Sequence, residues 1–263
     1  MDQSESKKTR SPLSYSRIEQ ELQRLEHGDV ALYVHDQVGS TNDVVVAELS
    51  KLSTNSAIVV TADEQIAGRG RLDRNWTSPW GAGIALTIAV KAADVVGEVT
   101  SVPLRAGLAV QQALADFDVS AFVKWPNDIV THDGLKLGGL LSVAREHAII
   151  VGIGLNVSLT HEELPTPVST SLMLMGHNVS REELIARIVS RFQNVISHPH
   201  WRDDYQAVSA TFGQQVRLHR TGQPMIEGQV VQFGDDGSIH IETANTVAAF
   251  SIGDVEHLRP LVD

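Results

Sequence analysis

The sequence predicts an α+β protein built from one larger body and one small β appendage. Three observations carry this. Short apolar runs rich in β-branched residues are interleaved with segments of helical period. Helix-start signals stand at Pro103 and at Ser180 with Glu183. From Gly213 onward the texture changes to short alternating strands between turn residues. A chain of 263 residues, 42% of them hydrophobic, has ample material for a packed core.

Residues 1 to about 15, with Lys7, Lys8, Arg10 and Pro12 among serines, read as a disordered tail. Ile18, Leu22 and Leu25 then give a short amphipathic helix, and Ala31 to His35 is a strand candidate. Ser40-Thr41-Asn42-Asp43 offers capping side chains ahead of a helix over Val44 to Leu52. Ala57 to Ala62 is read as a buried strand entering a loop rich in glycine and arginine, and Gly81 to Ala89 as the strand leaving it. Pro103 opens a helix in which Leu104, Leu108, Val110, Ala113 and Leu114 lie largely on one side. Phe122-Val123-Lys124-Trp125 is a strand stopped by Pro126, and Leu137 to Val143 and Ala148 to Gly154 are two more, joined at Arg145-Glu146-His147. A helix covers about Arg181 to Ser197. Residues 216–218, 228–233, 238–241 and 247–252 form the small β unit. The expected organisation is a tail and short helix over 1–27, a main domain over 28–212 and a C-terminal domain over 213–263.

Composition removes several classes of function. Without cysteine there is no disulfide, thiolate metal site or thiol nucleophile, and a reducing compartment, the cytoplasm, is the natural home. No stretch approaches the ~18 apolar residues of a membrane helix. A net charge of -11 and a pI near 5.4 argue against a nucleic-acid face. The residues before Ala31 leave no room for a helix-turn-helix head. His198 and His200 flank a proline without further ligands nearby and read as surface residues.

Against that acidic background, Arg69, Arg71 and Arg74 stand close together with Gly68 and Gly70, ahead of Trp76. Glycine lets backbone N–H groups approach a ligand, and guanidinium forks match the oxygens of phosphate and carboxylate. The segment is neither a dinucleotide fingerprint, since Asp73 stands where the third glycine belongs, nor a P-loop. A basic surface loop is the plain alternative.

Other polar clusters sit at ends of the predicted strands or starts of helices. Ser40-Thr41-Asn42 can cap a helix or hydrogen-bond an uncharged polar ligand, and Gln65 precedes the arginine loop. Lys124-Trp125-Pro126-Asn127-Asp128 and Lys136-Leu137-Gly138-Gly139 place ammonium groups inside apolar segments, which is costly without an anionic partner. That partner is a bound anion or, more simply, Asp128 for Lys124, with Lys136 reaching water. Gly152-Ile153-Gly154-Leu155-Asn156 is a strand of minimal side chains that admits a flat ring or packs as a tight sheet edge.

In this order the clusters resemble the biotin protein ligases, from about residue 31 to the end of the chain: S-T-N, G-R-G-R, K-W-P-N-D, K-L-A-G with Gly138 for the alanine, and G-I-G-L-N. The resemblance is to the monofunctional type, for which no N-terminal DNA-binding domain is expected. The resemblance implies a mixed-sheet catalytic domain of the class II synthetase-like biotin/lipoate ligase type, followed by a small SH3-like β-barrel. It implies ATP-dependent activation of biotin to biotinyl-5'-AMP and transfer to a lysine of a biotin carboxyl carrier domain of acyl-CoA or pyruvate carboxylases. A lipoate-type ligase and a biotin-sensing regulator are the alternatives. DNA and membrane are not expected partners, and the protein is a monomer or a homodimer.

By the same resemblance Arg69, Arg71 and Lys136 are the catalytic cations. Ser40, Thr41, Asn42, Gln65, Arg69, Gly70, Arg71, Lys136, Gly138 and Gly139 hold biotin. Arg71, Arg74, Trp76, Lys124, Asn127, Asp128, Lys136 and Asn156 hold ATP or the adenylate, with Asp128 the candidate Mg2+ ligand. Asp73 departs from the family's G-R-G-R-x-G-R-x-W and bears on how the loop folds.

Overall fold

The structure, a computed structural model, describes residues 10–27, 29–54, 56–71 and 74–258. Asp73 and residues 1–9 of the expected tail lie outside the described residues. Helix α1 (Tyr15–Arg24) precedes strand β1 (Val30–Val38), helix α2 (Thr41–Ala47) and strand β2 (Ala57–Gln65). Two short strands, β3 (Gly68–Arg69) and β4 (Asn75–Trp76), are followed by β5 (Gly83–Lys91) and α3 (Val102–Ala115). Strands β6 (Phe122–Lys124), β7 (Asp128–Val130), β8 (Lys136–Arg145) and β9 (Ala148–Asn156) complete the sheet before helices α4 (Arg181–Ser197) and α5 (Trp201–Ala207).

The main sheet is mixed, in the order β1-β2-β5-β9-β8-β7-β6, with β1 parallel to β2 and the other pairs antiparallel. Its central strands are covered on both faces, so they read as continuous apolar runs whose alternate residues enter different clusters. In β2, Ala57 and Val59 join the larger core with α3 and α4, while Ile58 and Val60 join Val45 and Leu52 on the other face. Strand β9 follows the same rule up to Ile150: Ile149, Val151, Ile153 and Leu155 face the larger core. On the α2 face, positions 152 and 154 are glycines. Without side chains of its own there, the strand lets Asn42 of α2 approach at Gly152 and Trp76 at Gly154, and this stretch is the floor of a cleft.

The C-terminal unit is an antiparallel sheet in the order β13-β12-β11-β10-β14, from β10 (Gln215–His219), β11 (Ile226–Phe233), β12 (Ile239–Glu242), β13 (Val247–Phe250) and β14 (Asp254–His257). The last strand, Asp254–His257, has no counterpart in the sequence reading. Val216, Val230 and Phe233 belong to the same apolar cluster as the main body. Trp125, 1% exposed, joins the two: its N–H donates to Thr211 Oγ1 at 3.2 Å and its Nε1–H to the Gly237 carbonyl at 3.0 Å.

The described part of the expected tail is a correction. Residues 10–14 are strapped to the body, because Asp63 and Arg181, both nearly buried, form an ion pair at 2.7 Å that needs further hydrogen bonds to offset desolvation. The Leu13 N–H donates to the Asp63 carboxylate and Arg181 donates to the Ser11 carbonyl at 2.6 Å. Arg10 adds a pair with Glu163 at 2.6 Å.

Candidate functional site

The cleft over the bare part of the sheet has a volume of about 440 Å3. It is walled by the α2 N-terminus, the arginine loop, the start of β7 and β8, the segment around Pro165–Ser169, and the start of β14.

At the α2 end, Ser40 occupies the N-cap position but its side chain makes no capping bond. Capping thus does not account for the Ser40 side chain, and Ser40, Thr41 and Asn42 all line the cleft. Gln65 Oε1 accepts from the Thr41 N–H at 2.8 Å and from the Thr41 hydroxyl at 2.9 Å. The Thr87 hydroxyl lies 2.7 Å from both Thr41 Oγ1 and Asn42 Oδ1, and its single proton serves one of them at a time. Thr87 is buried beneath α2, behind the cleft residues Thr41 and Asn42, and a threonine inside an otherwise apolar strand is the sequence signal that marks it. This end suits a neutral ligand with its own donors and acceptors.

The arginine loop is a small hairpin: Gly68 pairs with Trp76, Arg69 with Asn75, and the Gly70 N–H donates to the Arg74 carbonyl at 2.7 Å. Trp76 fills the flat-ring space over the glycine strand, and its side chain lies against the backbone of Gly154. The flat ring that the glycine strand admits is thus, at Gly154, one of the protein's own.

The cations converge, each in its own way. Arg71 donates to Asn127 Oδ1 at 3.0 Å and to the Gly253 carbonyl at 3.3 Å, with Asp254 at 3.4 Å. Arg74 lies 3.5 Å from the same Asp254 carboxylate. Lys136 donates to Asp128 Oδ1 at 2.6 Å, so the pairing of Lys124 with Asp128 weighed from the sequence is replaced by Lys136 with Asp128. Register explains it: Gly139 opposes Asp128 across β7 and β8, and a bulge there brings the Lys136 side chain back over Gly139. Lys124 lines the cleft and, among the described residues, has no carboxylate partner. Arg69 also lines the cleft, but its guanidinium is held by both oxygens of Asp43 at 2.6 Å, on the exposed rim.

Gly138 and Asn156 carry structural duties as well, and of the two Asn156 lines the cleft. Gly138 opposes Leu155 on the core face, where an added Cβ would stand 2.6 Å from the Gly154 carbonyl oxygen; it is a packing glycine, and only Gly139 reaches the cleft. Asn156, 2% exposed, donates to the Thr170 carbonyl at 2.9 Å and so fixes the Pro165–Ser169 wall, which is also tied to the Lys136 backbone. That wall, Asn75, Thr77, Gly253 and Asp254 were missed; none carries a local signal, because only the tertiary fold brings them to the site.

Among the described residues no group of three His, Asp or Glu could hold a metal by itself. Nor is any described helix long and apolar enough to cross a membrane.

The cleft's inventory is thus a neutral polar end, a slot bounded by glycines and Trp76, and a cationic end. Known proteins share both fold and sequence with it. The family model described as "Biotin/lipoate A/B protein ligase family" matches residues 34–157. The solved structure "Biotin protein ligase from Aquifex aeolicus in complex with biotin and ATP" superposes with a TM-score of 0.72 at 24% identity, over 87% of this chain and 99% of that one. The biotin protein ligase of Leishmania major in complex with biotinyl-5-AMP gives a TM-score of 0.63 at 24% identity, over 87% and 98%. The "Biotin--[acetyl-CoA-carboxylase] ligase" of Mycobacterium tuberculosis is 31% identical over 261 residues, 95% of this chain and 97% of that protein. With nearly the whole length aligned on both sides, the chain belongs to the biotin protein ligase family.

Proposed function

We propose that this protein uses ATP to convert biotin into biotinyl-5'-AMP and then passes the biotinyl group to a lysine of a biotin carboxyl carrier domain. The observation that carries the reading is the convergence of cations from three separate segments, Arg71 and Arg74, Lys124, and Lys136, on one cleft whose far end is neutral and polar. The substrates named for the Aquifex and Leishmania proteins, biotin with ATP and the adenylate, match those two ends.

In the first step the biotin carboxylate attacks the α-phosphorus, a C(=O)–O–P bond forms, and the α–β phosphoanhydride breaks to release pyrophosphate. Both reactants are anions, so fixed positive charge must cancel their repulsion and follow the charge that develops on the phosphoryl oxygens. Thr41, Asn42 and Gln65 hold the neutral bicyclic end of biotin. Lys136 and Arg71 stand where carboxylate and α-phosphate meet, and Lys124 and Arg74 face the departing phosphates. Trp76 offers its ring to the purine. In the second step the acceptor amine attacks the acyl carbon, AMP leaves, and the ammonium proton passes to solvent. The arginine hairpin shields the anhydride from water until then.

Mg2+ enters with the triphosphate. Such an ion takes one or two carboxylates and keeps several waters, so Asp128, a cleft-lining carboxylate beside Lys136, would fit it without a dedicated cage. The domain over 28–212 supplies the small-molecule site, and Gly253 and Asp254 of the C-terminal domain close its phosphate end; the cytoplasm is the compartment where such acceptors and a cysteine-free enzyme would meet. Purified protein supplied with biotin, ATP, Mg2+ and a carrier domain is expected to release pyrophosphate and label one lysine. Absence of both products would refute the reading.

A further inference from the structure

The start of β14 places a carboxylate where the ligase reading needs phosphate. The turn before it is tight: Gly253 has φ 153, and an added Cβ there would stand 3.0 Å from the His219 carbonyl oxygen. The Asp254 backbone pairs with His219, which fixes the direction of its side chain. One carboxylate oxygen faces Arg71 Nη1 at 3.4 Å and the other faces Arg74 Nη2 at 3.5 Å. Among the described residues that carboxylate has no other partner. A carboxylate bridging two guanidiniums presents the same pair of anionic oxygens as a phosphoryl group.

We propose that Asp254 is a built-in occupant of the phosphate subsite, which keeps Arg71 and Arg74 aimed into the cleft until a phosphate-bearing ligand displaces it. The proposal rests on the ligase reading and assigns to the C-terminal unit a role in it. The pair is built to be given up. Its separations exceed the 2.7–2.9 Å of a tight charge-assisted bond, whereas Lys136 holds Asp128 at 2.6 Å. Asp254 is 42% exposed and Arg74 71% exposed, so water screens the attraction. A triphosphate carries more charge and more acceptor oxygens than one carboxylate, and it wins both arginines. Once displaced, Asp254 has no further part in binding, so it weakens the capture of ATP without touching chemistry. It is a positioning residue that acts through Arg71 and Arg74.

The test uses full-length protein, with Asp254→Asn to remove the charge and Asp254→Glu to restore it. Inorganic pyrophosphate is titrated by calorimetry, and ATP kinetics are followed by pyrophosphate release. Exposed pairs of this kind are worth about three- to fivefold, so Asp254→Asn should bind pyrophosphate and lower the KM for ATP by that factor. Its kcat and biotin affinity should stay unchanged, Asp254→Glu should return to the wild-type values, and high salt should erase the difference. Equal or weaker pyrophosphate binding by Asp254→Asn, with the wild type binding normally, overturns the role of Asp254 alone. Failure of both proteins to bind pyrophosphate or ATP overturns it together with the ligase reading.

Discussion

Trp76 and Gly154 are in direct contact, the indole lying flush against the β9 backbone so that a Cβ on residue 154 would fall inside the ring. The same contact fixes the hairpin that carries Arg71 and Arg74, because Trp76 is its closing strand residue opposite Gly68. Gly154→Ala should therefore lift the indole and move the arginines with it, while leaving the sheet paired. Adenylation is expected to fall at least about tenfold in kcat/KM, a loss near 1.4 kcal/mol of transition-state stabilisation, with a cooperative thermal transition retained. Wild-type activity in this variant would show that the ring contact does not set the hairpin.

Lys136 shares its ammonium with Asp128 inside the cleft. Lys136→Ala removes a fixed cation and leaves a carboxylate facing the place where biotin and phosphate meet. Both effects oppose anions, so biotin affinity and adenylation should fall together, the rate by about a hundredfold, as for loss of one aimed electrostatic partner. Calorimetry with biotin alone separates the two; unchanged affinity would take Lys136 out of the biotin end.

How much of this was readable beforehand depended on whether the cause was local. The helix Arg181–Ser197 was placed to the residue because Ser180 accepts from the Glu183 N–H, a bond made within one turn. Most strands of the main sheet were found, several of them shortened, since apolar runs do not extend to polar ends such as Gln37 and Gln65, while the three-residue strand Asp128–Val130 had no counterpart. Cluster motifs named most cleft residues, as each is contiguous in sequence. What stayed hidden was pairwise geometry across the chain. No local pattern says that Asp43 takes Arg69, that Asp254 takes Arg71, or that Asp128 prefers Lys136 to Lys124. Strand Asp254–His257 was likewise invisible, because an alternation of four residues is too short to stand above its turns.

Arg71 is held at three points that belong to different parts of the molecule: Asn127 beside β7, and Gly253 and Asp254 of the C-terminal unit. It is half-buried, yet no core residue depends on it, so Arg71→Ala should fold with a thermal midpoint close to wild type. The hairpin would lose the Arg71 tie to Asn127, and the adenylate would escape to solvent faster. Release of biotinyl-adenylate, measured by single-turnover chase, is expected to accelerate by about tenfold or more. Normal retention would count against a shielding role for this residue.

His257 closes the other end of β14. Its Nε2 lies 3.2 Å from Thr211 Oγ1, the same hydroxyl oxygen that accepts from the Trp125 N–H, so the Thr211 proton is free to point at an unprotonated ring nitrogen. Burial, and after it the Lys124 ammonium, push the imidazole down from 6.5 to about 4. The sign follows from linkage: the unfolded chain binds a proton near pH 6.5 that the folded chain refuses until about pH 4. The stability held in the neutral ring is complete above pH 6.5 and is lost as pH falls through that window. Allowing for partial solvent exposure, wild type should lose about 1 kcal/mol more than His257→Gln between pH 7 and pH 5. Urea midpoints at the two pH values measure this directly. An identical acid response in both proteins would mean that the ring titrates freely, and that the junction between β14 and Trp125 tolerates a charge.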